Sequence, residues 1–378
     1  MIDVLLVSPR LPPTHRFYSG EQVYTETLLA CPPPGVRYHF YEDLLSDGRA
    51  RKLKWLNRLG PRLVQWGILA PDLWAEYLVS DVVPDLVHVH AFSLVIRFPQ
   101  RARVPVVMSC SIGSVGDLRY YLGWDEARVR RARRKKEWYL RLAGAYDTSL
   151  NPQDAARVLV WSEFARQLHL EEGRVRPEQI EVLPPGIPLP TDPMPRREMH
   201  QPMTFLFIGK DFVRKNGLLM LEAFRRVRAQ YPGIRLILVG IPPDDQMIVE
   251  EGITHYRFLP RAELYQQVYP QADVLVLPSK VDGFGLVLLE AMAFGLPVIG
   301  VNAWAMPEIV QDGQNGYLIA PDSLDALVQR MSAFVRQPDL VAQMGARGQK
   351  VFAEKFSVEA HNRRLKPVYE QALAQATG

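Results

Sequence analysis

Apolar runs of a few residues alternate with helical periodicity along nearly the whole chain, the pattern of parallel strands joined by crossover helices. In the first half, 3–7, 36–41, 86–90, 104–110, 148–150, 158–161 and 180–183 predict strands, and 21–30, 61–79 and 124–143 predict helices. Residues 184–202 then hold seven prolines and no apolar periodicity. Proline removes a backbone donor and fixes φ, so this stretch predicts a linker. The alternation restarts with strands at 204–208, 235–239, 274–277 and 297–301 and helices at 216–230, 262–269, 286–294 and 324–336. The pattern predicts an α/β protein of two open domains, 1–190 and 191–378, each with a mostly parallel sheet. The last helix is free to pack back on the first domain. Open sheets of this kind bind ligand beyond their strand C-termini, so a deep interdomain cleft is expected.

Composition adds exclusions. Of 378 residues, 48% are hydrophobic and 23% charged, which is globular rather than disordered. No apolar run reaches the roughly 18 residues that span a bilayer. The opening MIDVLLVSPR lacks a basic n-region and reads as a first strand. Two cysteines, Cys31 and Cys110, leave no disulfide framework and fit a reducing cytoplasmic setting.

Charge is uneven although the net is only +4. Residues 1–145 carry 21 Lys/Arg against 14 Asp/Glu, and 146–378 carry 24 against 27. The excess lies in two runs. One spans Arg49 to Arg62 with six cations and no acid; the other spans Arg128 to Arg141 with eight cations opposed by Glu137. Large apolar residues sit among them, with Trp55, Leu59, Leu63 and Trp66 at helical spacing and Trp138 in the second run. Such runs predict an anionic partner, and with these apolar neighbours an anionic membrane surface. Packing of the stripe on the domain's own core is the competing expectation. No nucleic-acid module surrounds the runs.

Candidate chemistry concentrates in two stretches. In PSKVDGFGLVLLEAMAFGLPVIG (278–300), Gly283 and Gly285 flank Phe284 just before a helix, so backbone N–H groups from Phe284 to Leu286 can meet an anion or a sugar. Asp282 precedes that helix and Glu290 falls on its second turn, which lets both carboxylates face one cleft. A tight turn with Glu290 facing solvent fits the same spacing. In FIGKDFVRKNG (207–217), a strand ends at Gly209, Lys210, Arg214 and Lys215 follow, and a helix begins near Asn216. Cations beside a helix N-terminus suit a diphosphate, although a solvated basic loop would read the same way.

The first stretch resembles the signature of family-4 retaining glycosyltransferases, an acidic residue, GFG, and a glutamate eight positions after the acid ahead of EAMA.G.PV. Asp282, Gly283, Phe284, Gly285, Glu290, Ala291, Met292, Ala293, Gly295, Pro297 and Val298 match it. In the second stretch Arg214 and Lys215 match the family's basic pair, and Lys210 stands where many relatives carry Arg. SPRLPPTHRFYSGEQVYTETLLA (8–30), DLVHVH (85–90), VLVWSEFAR (158–166), IEVLPPGI (180–187), MPEIVQDGQNGYLI (306–319) and EKFSV (354–358) extend the resemblance over most of the chain. It implies the GT-B architecture of two facing Rossmann-like domains, donor binding in the C-terminal domain, and acceptor binding in the N-terminal one. Lys210, Arg214 and Lys215 would stabilise the leaving diphosphate, Glu290 would accept from the ribose hydroxyls, and Asp282 with the 284–286 amides would hold the donor sugar. Gly20 would let the N-terminal loop approach the diphosphate.

The chain departs from the family in several places. Asp282 stands for the usual Glu, and Ser19–Gly20 for two adjacent glycines. Ser111 stands where many relatives carry a histidine, which leaves His88 and His90 as candidates for its charge. Asn302–Ala303–Trp304–Ala305–Met306 replaces glycines before the Pro-Glu pair, and VGIPPDD (239–245) replaces a glycine-rich loop. No Asp-x-Asp motif and no metal spacing of His, Cys or Asp occurs, so neither a metal nor another cofactor is expected. The absence of Gly-x-Ser-x-Gly and Walker patterns argues against a hydrolase or a P-loop ATPase. The expected activity is transfer of a sugar from a nucleoside-diphosphate donor to a hydroxyl acceptor, such as a lipid-linked or cell-envelope glycan. A nucleotide-sugar epimerase or phosphorylase, and a non-catalytic binding module, are the alternatives. The expected place is the cytoplasm, with the basic runs allowing a peripheral position on the inner face of the membrane.

Overall fold

A computed structural model describes residues 1–8, 20–52, 58, 62, 65–66, 76–90, 94–97, 104–121, 123–142, 155–173, 175–188 and 202–377. The chain forms two units, Met1–Gly186 with His361–Gly378, and Ile187–Ala360.

In the first unit, β1 (Ile2–Val7) is buried without a break from Val4 onward, as a parallel strand covered on both faces must be. It pairs in parallel with β2 (Val36–Phe40) and β5 (Leu86–His90). β7 (Val106–Cys110), β8 (Arg157–Val160) and β9 (Ile180–Val182) extend the sheet to the order β2-β1-β5-β7-β8-β9. A small second sheet sets β3 (Ala50–Lys52) antiparallel to β4 (Glu76–Ser80), and β4 parallel to β6 (Leu94–Arg97). Helices α1 (Gly20–Ala30), α2 (Tyr41–Ser46), α3 (Gly113–Gly116), α4 (Glu126–Leu142) and α5 (Glu163–Glu172) connect the strands. Ser162 caps α5 by accepting from Ala165 N–H at 3.1 Å, and Gly173 ends it at φ +63°.

The second unit has the order β12-β11-β10-β13-β14-β15, all parallel. Its strands are β10 (Thr204–Asp211), β11 (Arg235–Ile241), β12 (Ile253–Tyr256), β13 (Val274–Val276), β14 (Val298–Val301) and β15 (Gly316–Ile319). The helices are α6 (Gly217–Gln230), α7 (Arg261–Glu263), α8 (Leu286–Ala293), α9 (Met306–Ile309), α10 (Leu324–Arg336) and α11 (Asp339–Lys355). Phe205, Phe207, Phe224, Leu236, Val276 and Phe334 lie in its core. The strand order reverses between β10 and β13, the switch point where open α/β sheets receive ligands.

Helix α12 (Val358–Thr377) belongs to the first unit from His361 onward. There Tyr369 Oη lies 2.6 Å from His88 Nδ1 and 2.8 Å from Tyr38 Oη, and His361 Nδ1 lies 2.8 Å from Pro184 O.

Several predicted elements are corrected. The helix predicted over 61–79 gives way at its end to β4, where Tyr-Leu-Val favours a strand and finds partners on both sides. Arg58, Arg62 and Gln65 are helical, and Trp66 is 63% exposed, so this member of the predicted stripe is not in a core. Trp55, Leu56, Leu59, Leu63 and the predicted strand 148–150 lie outside the described residues. The helix predicted over 262–269 is one α turn, a π-helical turn at Leu264–Val268 and a 3-10 turn at Tyr269–Gln271, since Pro270 cannot donate to a regular ladder. Strands β12 and β15 were not predicted.

Candidate functional site

The loops after β10 and β13 meet at the switch point of the second unit. Lys280 N–H donates to Arg214 O at 2.9 Å, and Arg214 Nη1 donates to Val281 O at 2.9 Å. The Arg214 Nε also pairs with Asp211 at 3.1 Å. Between the loops, Lys215 Nζ forms a close ion pair with Asp282 Oδ2, their side chains 13% and 7% exposed. Burial pulls the Lys215 ammonium below its ordinary range, and Asp282 offsets part of that shift. Gly209 makes this fold possible, because a Cβ there would meet Lys215 Cβ at 2.8 Å.

Two helices begin at this edge from left-handed residues, α6 from Asn216 (φ +61°) and α8 from Gly285 (φ +87°). Asn216 Nδ2 donates to Asp322 at 2.8 Å. Phe284 is buried and packs edge-on against Phe356, which anchors the Gly283–Gly285 turn and presents Leu286 as the first residue of α8. Lys210 is exposed, with Nζ 5.8 Å from the Phe258 ring centroid. Glu290 is buried, not solvent-facing. Arg261 Nη2 lies 2.7 Å from its Oε1, and Tyr269 Oη donates to its Oε2 at 2.6 Å. The spacing of Asp282 and Glu290 thus resolves into two separate ion pairs. Neither Arg261 nor Tyr269 was singled out from the sequence; an arginine eight residues before a tyrosine has no motif to flag it.

Gly20 lies in the other unit, opening α1, and Glu21 follows it. The Glu21 carboxylate accepts from Ser111 N–H at 3.2 Å and from Ser111 Oγ, and lies 2.7 Å from His90 Nε2. Burial works to raise the Glu21 carboxyl, but His90 and the Ser111 donors outweigh it and leave it below the usual range. His90 Nδ1 and His88 Nε2 each lie 2.7 Å from Ser109 Oγ. With both ring nitrogens engaged and no exposure, His88 is a structural residue; burial and the neighbouring imidazoles of His90 and His361 hold it well below its ordinary pKa. Of the two candidate histidines, His90 is the one that reaches the carboxylate touched by Ser111. Glu21 itself was missed, because one acid in a first helical turn is an ordinary dipole partner.

A cavity of about 520 Å³ in the first unit is lined by Val106, Ala155, Arg157 and Gln179 at the N-terminal edge of its strands, opposite His90 and Ser111. In the second unit the loop 302–306 places Trp304 at φ +61°, a conformation glycine adopts without strain. Among the described residues, no three His, Cys, Asp or Glu side chains cluster as a metal site, and no helix is long and apolar enough to cross a membrane.

Residues 193–351, which lie in the second unit, match the family model for glycosyl transferases group 1. The chain is 29% identical to the D-inositol 3-phosphate glycosyltransferase of Segniliparus rotundus, over 52% of this chain and 48% of that protein. It is 26% identical to the MMP alpha-(1->4)-mannosyltransferase of Mycolicibacterium hassiacum, over 67% of this chain and 61% of that protein. It thus spans about half to three-fifths of the length of these relatives. Among solved structures, sucrose-phosphate synthase from Thermosynechococcus elongatus superposes with TM-score 0.66 at 17% identity, covering 99% of this chain and 100% of that one. Anabaena HepE in complex with UDP and glucose also gives 0.66 at 17% identity, covering 98% and 100%. At such identity these likenesses establish the fold, the GT-B pattern of two parallel-sheet α/β units.

Proposed function

We propose that this protein is a retaining glycosyltransferase that moves a sugar from a nucleoside-diphosphate donor to a hydroxyl acceptor. The observation that carries the reading is the Lys215–Asp282 pair with Arg214 at the switch point of a unit that matches the group 1 family. In this reading Lys215 and Arg214 stabilise the charge that develops on the leaving diphosphate, the largest contribution such a site can supply. Asp282 and the amides at Phe284–Leu286 hold the donor sugar, and Glu290 accepts from the ribose. Lys210, more exposed, adds to the local positive field. HepE, solved with UDP and glucose, supports a nucleotide-sugar donor. Acceptor binding falls to the first unit, with Gly20 and Glu21 at its strand edge.

The test is a thermal-shift series with UDP, GDP and ADP, since a ligand that binds the folded state raises its stability by mass action. One of the three is expected to raise Tm in the wild-type chain and not in Lys215→Ala; no shift with any of them overturns the reading. With cations rather than a metal facing the leaving group, release of nucleoside diphosphate from the donor sugar is expected to persist in excess EDTA. Loss of release that Mn²⁺ restores counts against that arrangement.

The reading extends to a membrane-borne acceptor. Helix α4 exposes Arg128, Arg130, Arg131, Arg134, Lys135 and Trp138, while Val129 is buried. Each cation near an anionic leaflet contributes about 1 kcal/mol. Co-sedimentation with phosphatidylserine vesicles is expected at low salt, weakening as salt rises and when Arg130, Arg131 and Arg134 become Ser. Protein left in the supernatant at low salt points instead to a soluble acceptor.

A further inference from the structure

Glu290 sits on the second turn of α8 with 5% exposure, yet its carboxylate is not simply buried. Two side chains from the turn after β12 grip it from either side. Arg261 Nη2 lies 2.7 Å from Oε1, and Tyr269 Oη donates to Oε2 at 2.6 Å. Both gripping groups are themselves braced. Tyr269 stacks on Phe294, the residue that ends α8, with centroids 4.9 Å apart and planes 8° from parallel. The Arg261 guanidinium lies 5.3 Å from the Tyr265 ring centroid. Burial works to neutralise Arg261, but Glu290 together with Tyr265 and Tyr269 outweighs it, so the guanidinium stays charged.

This grip is incomplete in an informative way. Arg261 Nε and Nη2 are buried with no aligned acceptor, so the contact with Glu290 is a close ion pair and not the bidentate fork that an arginine whose sole task was to neutralise a buried acid would adopt. A carboxylate has about four lone-pair positions; Tyr269 fills one on Oε2, the Arg261 ion pair lies against Oε1, and the Tyr265 hydroxyl stands close by without an aligned bond. Positions on both oxygens remain, on a group whose rotation is blocked on both sides. A rigid acceptor with a free position on each oxygen is what a vicinal diol needs, since its two O–H groups donate to the two oxygens of one carboxylate.

We propose that Arg261 is a positioning residue which, with Tyr269, locks the Glu290 carboxylate in the orientation that reads the ribose cis-diol of the donor, and so makes the protein selective for ribonucleotides. The proposal rests on the reading of Glu290 as the ribose acceptor and adds what holds it there. A site built to bond hydroxyls discriminates sharply against an analogue that lacks them, because its polar groups are then left unpaired. Freed from Arg261, the carboxylate can turn toward water or another donor, and the discrimination fades while the diphosphate contacts at Lys215 remain.

The experiment compares the affinities of UDP, GDP and ADP with those of their 2′,3′-dideoxy counterparts by calorimetry on the full chain. The wild type is expected to prefer the ribo form of its nucleotide by tenfold or more. Arg261→Gln and Glu290→Gln are each expected to reduce that preference to within about threefold, with affinity for the dideoxy form unchanged within twofold. Arg261→Lys, which keeps the charge but loses the planar head, is expected to fall between them and serves if Arg261→Gln does not fold. Lys215→Ala is expected to weaken both forms alike and leave the ratio intact. If Glu290→Gln loses the preference while both Arg261 variants keep it, Arg261 is structural and the proposal is wrong. If Glu290→Gln keeps the preference, or the wild type has none, the reading of Glu290 falls and this proposal falls with it.

Discussion

Replacing Lys215 by Ala is expected to cut transfer by roughly 10- to 150-fold, the kinetic equivalent of about 1.5–3 kcal/mol for one charge-assisted contact. It is also expected to lower Tm, for a separate reason. Asp282 is 6% exposed, and without Lys215 it becomes an unpaired buried charge, a loss that costs about 3–5 kcal/mol when one partner of a buried pair is removed. The two effects separate in the double variant Lys215→Ala/Asp282→Asn. Neutralising the stranded acid should recover most of the stability, while transfer stays low because the diphosphate still lacks its cation. Recovery of activity together with stability would show that Lys215 serves the fold and not the donor. Near-wild-type transfer in the single variant would remove Lys215 from the site altogether.

The second large effect is on stability against pH. Burial lowers His361 to about 4, even though the Pro184 carbonyl beside it acts in the opposite direction, and His88 is held lower than its ordinary value as well. A histidine kept neutral in the fold but free to protonate once unfolded makes the unfolded state bind more protons below the ordinary value of 6.5. Stability is therefore complete above that pH and is lost as pH falls through the window toward about 4. His361 costs about 2 kcal/mol between neutral pH and about pH 5, and His88 adds to the loss in the same direction. The Glu21 carboxyl, held below its ordinary 4.5, adds a further loss only at lower pH. Urea unfolding near neutral pH and near pH 5 measures this. His361→Gln should be less stable near neutral pH, having lost its contacts to Tyr24 and Pro184, yet lose less on acidification. A wild-type midpoint that does not move between the two pH values would contradict the assignment.

Strands such as β1, β5, β10 and β13 were legible in the sequence because each is a short apolar run buried on both faces, a pattern that depends little on context. The helix at 124–143 was legible for the converse reason, and Glu126–Leu142 forms it. β4 was not legible, because Glu76–Ser80 becomes a strand only when β3 and β6 supply its hydrogen bonds, and both come from elsewhere in the chain. At the candidate site, Lys215 and Asp282 could be named from their loops, but their mutual pairing depends on the order of β10 and β13, which no local pattern encodes. Arg261 and Glu21 were hidden for the same reason. Each gains meaning from a partner on a different element, Glu290 for one and His90 for the other.

The division of the chain at Ala360 and His361 has a consequence for synthesis. The second unit is one unbroken stretch and can finish folding once residue 360 has left the ribosome. The first unit is translated earlier but cannot finish earlier. Until residues 361–377 emerge, His88 and Tyr38 lack Tyr369, and Tyr24 lacks His361. Of the two units, the one begun earlier is thus completed later, an inversion of the usual N-terminal-first order. A stalled or prematurely released chain would carry a finished second unit beside a first unit with an open polar interior, the kind of species that chaperones hold and proteases clear.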